Sequence, residues 1–180
     1  MPHAVIILAD GFEEVEAVTC IDLLRRAGIT VTVLGLSSHE VRGTNGIIVK
    51  ADALFEEFSE SFDAVILPGG MPGTNNLAAS ESLLSFIRSA HDSGKLCAAI
   101  CAAPIVFAKA GILENRKATC YPGCEAKLSG ALFVNDDVVV DFNIITGRAL
   151  GSAILFALEI IEALAGEKDA VKIGMAILYL

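Results

Sequence analysis

The sequence predicts an α/β sandwich with a mainly parallel sheet, on three observations. Short apolar runs recur along the chain, separated by stretches with helical spacing. The clearest runs, Ala4–Ala9 and Leu96–Ile100, hold no charged residue, as strands covered on both faces require. Composition agrees: 54% of the 180 residues are hydrophobic and only 19% charged. That is enough apolar surface for one core, so residues 1–180 are read as a single domain.

Taken in order, Ala4–Ala9 is the first strand and Asp10-Gly11-Phe12 a turn. A helix follows from Glu13 to Ala27, acidic at its start (Glu13, Glu14, Glu16) and basic at its end (Arg25, Arg26), with Gly28 as its stop. Ile29–Gly35 completes a βαβ unit. Val41–Gly43 and Ile47–Val49 flank Asn45-Gly46 and read as a hairpin. A short acidic helix near Leu54–Phe58 precedes the strand Asp63–Leu67, which ends at Pro68-Gly69-Gly70. Ser80–His91 has an amphipathic helix pattern, and Leu96–Ile100 is a strand that turns at Cys101 into a helix from Ala102, stopped by Gly111. Beyond it, Ala118–Gly130 holds a short helix. Ala131–Val134 and Val138–Phe142 read as a hairpin across Asn135-Asp136-Asp137, and Ile144–Thr146 as a last strand. Ser152–Ala165 and Glu167–Met175 are the closing helices.

Several function classes are disfavoured. A net charge of −9 without a basic patch argues against a nucleic-acid partner. No apolar run approaches the roughly 20 residues that span a bilayer, so no membrane partner is expected. Met-Pro-His lacks the basic start of a signal peptide, which points to a cytoplasmic protein. Five cysteines, an odd number, suggest reduced thiols rather than a disulfide framework. Cys97-x3-Cys101 and Cys120-x3-Cys124 have zinc-like spacing. Cys97 falls inside an apolar strand pattern, however, so no metal is expected.

The chemistry gathers at three strand-to-helix turns: Asp10–Glu16, Pro68–Gly73 and Cys101–Pro104. Ligands of open α/β sheets bind at that carboxyl edge. The turns supply an acid, unobstructed amides at Gly69 and Gly70, and a thiol, the equipment for nucleophilic attack on a carbonyl. At the elbow, the partial positive charge of a helix N-terminus favours the Cys101 thiolate. The alternative is a merely buried thiol. None of His3, His39 and His91 follows the elbow, so a Cys–His pair has little support and the acid partner is sought at the first turn.

Gly11-Phe12-Glu13-Glu14-Val15-Glu16, Arg25-Arg26-Ala27-Gly28, Leu67-Pro68-Gly69-Gly70 and Ala98-Ala99-Ile100-Cys101-Ala102-Ala103-Pro104 together resemble the ThiJ/PfpI superfamily, in its DJ-one-like branch. The resemblance runs over nearly the whole chain. It implies a flavodoxin-like three-layer α/β/α sandwich and a homodimer with the first helix region at the interface. By position, it makes Cys101 the oxidisable nucleophile, Glu16 the protonated carboxyl bonded to it, and the N–H groups of Gly70 and Ala102 the oxyanion hole. Glu13, Gly69 and Arg148 become further pocket residues. Tyr121, before Pro122, stands where some members carry a histidine, and Asn45 where some carry an interface arginine.

The activity so implied needs no cofactor. It is glutathione-independent conversion of a reactive dicarbonyl such as methylglyoxal to lactate, or removal of early glycation adducts from proteins and nucleotides. The competing expectation is an oxidative-stress sensor or holdase chaperone acting through oxidation of Cys101. A peptidase, which in other branches places histidine directly after the cysteine, is disfavoured by Ala102.

Overall fold

The computed structural model describes residues 1–180. Its elements, in chain order, are β1 (His3–Leu8), α1 (Glu14–Arg26), β2 (Thr30–Gly35), β3 (Glu40–Arg42), β4 (Ile48–Lys50), β5 (Ala53–Leu54), β6 (Ala64–Leu67), α2 (Gly73–Ala79) and α3 (Glu81–Asp92). Then come β7 (Leu96–Ile100), α4 (Pro104–Ala110), β8 (Lys117–Ala118), β9 (Leu132–Phe133), β10 (Val138–Asp141), β11 (Ile144–Gly147), α5 (Ala153–Ala165) and α6 (Glu167–Ala176).

The central sheet runs β10-β11-β7-β6-β1-β2-β5, and only the edge pair β10–β11 is antiparallel. Alternation along the strands splits the core. Ile6, Leu8, Ile66 and Ala98 face α1 and α5 on one side, and Val5, Ile7, Val65 and Ala99 face the layer of α3 and α4 on the other. The three-layer sandwich expected from the sequence is the one observed. Counting only the five main parallel strands, the order is that of a flavodoxin-like sheet, which reverses direction between β1 and β6. No helix is long and apolar enough to cross a membrane.

Two local readings are corrected. Residues 131–134 and 138–142 do not pair with each other. β9 lies parallel to β8, and β10 forms its hairpin with β11 instead. The tight turn Asp141–Ile144 joins adjacent segments, so the shorter connection wins over Asn135-Asp136-Asp137. The helix after the elbow starts at Pro104 rather than Ala102, because proline suits the first helical position and residues 101–103 form the turn. Helix α2, directly after the Pro68–Gly73 turn, has no counterpart in the sequence reading.

Candidate functional site

Cys101 joins β7 to α4 with φ of 66°, a left-handed conformation that few residues other than glycine adopt. Two bonds hold it there: its N–H donates to the Gly147 carbonyl (2.9 Å), and its carbonyl accepts from the Tyr121 N–H (2.7 Å). The elbow read from Ala99-Ile100-Cys101-Ala102 is therefore a physical feature, and backbone strain of this kind concentrates at functional sites.

Glu16 approaches from the first turn of α1. It is fully buried, and its Oε2 accepts a 2.8 Å bond from the Gly69 N–H. Its other oxygen, Oε1, is buried with no partner. The two catalytic candidates meet across Gly69, where a Cβ would lie 2.6 Å from the Cys101 Cβ and 2.9 Å from Glu16 Oε2. Only glycine fits there. Burial raises the Glu16 carboxyl to about 7, against the Gly69 N–H and the adjacent Cys101 thiol, which favour its charged form, while nearby Glu13 raises it further.

The same surroundings correct the expectation of a standing thiolate. Burial, with the Glu16 carboxylate beside it, pushes the Cys101 thiol up to about 12. The N–H groups of Ala102 and Gly70 pull the other way, as expected at a helix N-terminus, but burial outweighs them. Neither N–H is engaged by a carbonyl or side-chain oxygen elsewhere. Below about pH 7 the pair thus carries both protons, and above it one negative charge and one proton. The thiolate forms when that proton moves to Glu16.

A cavity of about 210 Å³ opens on the sulfur, lined by Gly70, Met71, Cys101, Ala102, Tyr121 and Cys124. Its walls are largely apolar. A cavity of about 230 Å³ near Asp10, Ser38 and Asn76 holds no cysteine. No three His, Cys, Asp or Glu side chains cluster as metal ligands would.

Glu13, Gly69 and Arg148 do not line the cavity; Gly69 lies behind it, between Cys101 and Glu16. Glu13 caps α1, accepting from the Glu16 N–H at 2.8 Å, while its own N–H donates to the Gly69 carbonyl at 2.9 Å. These two bonds fix the turn that carries Glu16 against the Gly69 loop. Arg148 is near enough to Glu125 to act on its charge, and its backbone N–H donates to the Asp137 carbonyl at 2.8 Å. Backbone bonds from Glu125 and Gly123 hold the Glu125 carboxyl below its usual range, and Arg148 adds to this. Tyr121 is on the wall and half exposed.

The sequence reading missed Met71 and Cys124 as lining residues. Proximity of Met71 to the Gly69-Gly70 turn was the available signal. The sequence reading placed Glu14 only in the acidic helix start, whereas the residue is 3% exposed and accepts from Asn45 N–H (2.6 Å), Asn45 Nδ2 (3.0 Å) and Ile47 N–H (3.3 Å).

The family model described as "DJ-1/PfpI family" matches residues 2–163. Protein dj-1beta of Drosophila melanogaster is 41% identical over 179 residues, covering 97% of this chain and 96% of its own. Its crystal structure superposes with a TM-score of 0.96 at 40% identity, over 99% of this chain and 98% of that one. A structure of Toxoplasma gondii DJ-1, described as oxidized, gives 0.95 at 37% identity over 99% of each chain. A Caenorhabditis elegans relative named glutathione-independent glyoxalase DJR-1.2 is 35% identical over 157 residues, 86% of this chain and 83% of its own.

Proposed function

The chain belongs to the DJ-1/PfpI family, and from that premise we propose that it converts small dicarbonyls to hydroxy acids with Cys101 as nucleophile and no cofactor. The observation that carries the reading is a fully buried glutamate holding its proton to about pH 7 beside a cysteine in a strained elbow. The glyoxalase name of the C. elegans relative supports the reaction class.

Attack begins when the thiol proton passes to Glu16 and the sulfur adds to the aldehyde carbon of methylglyoxal. The oxygen of the hemithioacetal lies at the free N–H groups of Gly70 and Ala102. Once that oxygen has taken the proton from Glu16, the carboxylate removes the hydrogen on the sulfur-bearing carbon and returns it to the neighbouring one through an enediol. The resulting thioester on Cys101 is hydrolysed by water to lactate and free thiol. An early glycation adduct would enter the same route after losing its amine. Tyr121 contributes a phenol at the cavity rim, where it meets the substrate's far oxygen.

The test is methylglyoxal consumption with lactate release, without glutathione. Wild type makes lactate and Cys101→Ser does not. Equal conversion by both overturns the reading.

A second reading is favoured by the oxidized form of the Toxoplasma relative. Here Cys101 serves as a peroxide sensor, with the same amides and the Glu16 bond stabilising a sulfinate. Selective sulfinic acid at Cys101 after mild peroxide, with negligible dicarbonyl turnover, would select it.

We also infer a homodimer built on α1. Val15 and Val18, one turn apart, are 48% and 47% exposed on the outer face of that helix. Glu14 ties this helix to Ile47, itself exposed with Ile48, which extends the apolar face.

A further inference from the structure

We propose that Cys124 is a resolving thiol for Cys101: after a hydroperoxide oxidises Cys101, the two sulfurs join in a reversible intrachain disulfide across the cavity they share. The inference rests on the reading of Cys101 as the reactive thiol.

The five cysteines divide by access. Cys20, Cys97 and Cys120 are buried at 1%, 0% and 1% exposure. Cys101 and Cys124 are the two partly exposed thiols, and both line the one cavity of about 210 Å³. The backbone draws them together. Tyr121 N–H bonds the Cys101 carbonyl at 2.7 Å, and Cys124 N–H turns back onto the Tyr121 carbonyl at 3.0 Å. A turn of that kind keeps its first and fourth Cα atoms within about 7 Å. Cys124 is therefore one tight turn from a residue bonded to the elbow.

The segment has room to close the remaining distance. Tyr121, Pro122 and Gly123 are exposed, and Gly123 has a positive φ with no atom within 4 Å of where a Cβ would stand. Burial raises the Cys124 thiol, but the ammonium of Lys127 acts against it. Cys97, the neighbour in sequence spacing, lies sealed within β7 and offers no alternative partner.

The chemistry balances with a hydroperoxide as the sole oxidant. The Cys101 sulfur attacks one peroxide oxygen; the S–O bond forms, the O–O bond breaks, and the leaving oxygen takes the proton held by Glu16. The Cys124 sulfur, giving up its proton, then attacks the Cys101 sulfenic sulfur. The S–S bond forms, and the S–O bond breaks with loss of water. The disulfide closes the cavity and keeps Cys101 from sulfinic acid until a dithiol reductant reopens it.

The experiment exposes wild type and Cys124→Ser to a few equivalents of hydrogen peroxide, alkylates remaining thiols, and maps unreduced peptides by mass spectrometry. Wild type yields a Cys101–Cys124 linked peptide that dithiothreitol removes. Cys124→Ser yields no link and reaches Cys101 sulfinic acid at lower peroxide. Equal sulfinic acid at Cys101 in both proteins without a linked peptide overturns the resolving role while leaving Cys101 reactive. A Cys120–Cys124 link also overturns it. An unmodified Cys101 in both proteins overturns the reactive-thiol reading and this inference with it.

Discussion

Glu16 decides what the site can do at a given pH. Below about pH 7 both it and Cys101 hold their protons, and above it the pair carries the single negative charge that attack requires. The kcat/KM for methylglyoxal is expected to rise through pH 7 and then level. Glu16→Gln loses that limb and about 10²–10⁴-fold in rate, the usual worth of a positioned proton carrier. A pH–rate profile of both proteins checks this. The same residue leaves a mark on stability. An unfolded glutamate ionises near 4.5, whereas folded Glu16 keeps its proton to about 7, so the stability tied to that proton is full below 4.5 and lost as pH rises through 7. The loss is about 3 kcal/mol. Denaturant melts between pH 4.5 and 8 are expected to show this slope in wild type and a flatter one in Glu16→Gln.

Among the elements, α1 works through three closely spaced acids with separate duties. Glu13 caps it, Glu16 enters the site, and Glu14 holds the loop between β3 and β4. Burial opposes ionisation of Glu14, but bonds from Asn45 and Ile47 outweigh it and hold the carboxyl below its ordinary range. Glu14→Ala is expected to cost about 2 kcal/mol, as loss of hydrogen bonds to a charge does, and to speed amide exchange at Asn45 and Ile47. The elements also show what could be read in advance. Apolar runs and the glycines after them marked β1, β6, β7 and their turns, because a strand buried on both faces leaves a strong local trace. The β8–β9 pairing left none: Lys117–Ala118 and Leu132–Phe133 are two residues each, and their partnership depends on what lies between them. In the first turn of α1, three similar glutamates gave no sign of which would be capped, tethering or buried. The four-motif resemblance singled out Glu16, and the direction of each side chain supplied the rest. Cys101 was marked by its small neighbours, but its protonation was not, since burial is a tertiary property.

At the scale of the molecule, the site occupies the reversal of strand order, where the loops after β1, β6 and β7 converge. On the homodimer reading, the exposed α1 face that carries Val15 and Val18 meets a partner copy. Val18→Asp is expected to shift sedimentation from dimer to monomer, and a wild type already monomeric at micromolar concentration would defeat the homodimer reading. The parts of the site differ in what can vary. Gly69 cannot take a side chain, and Gly70 and Ala102 contribute through main-chain N–H groups. The rim from Tyr121 to Cys124, by contrast, is anchored by a backbone bond that makes no demand on residue type. Ligand preference can therefore drift through exchanges in that short rim while the reacting centre stays intact, which makes residues 121–124 the natural place to graft new selectivity onto an unchanged scaffold.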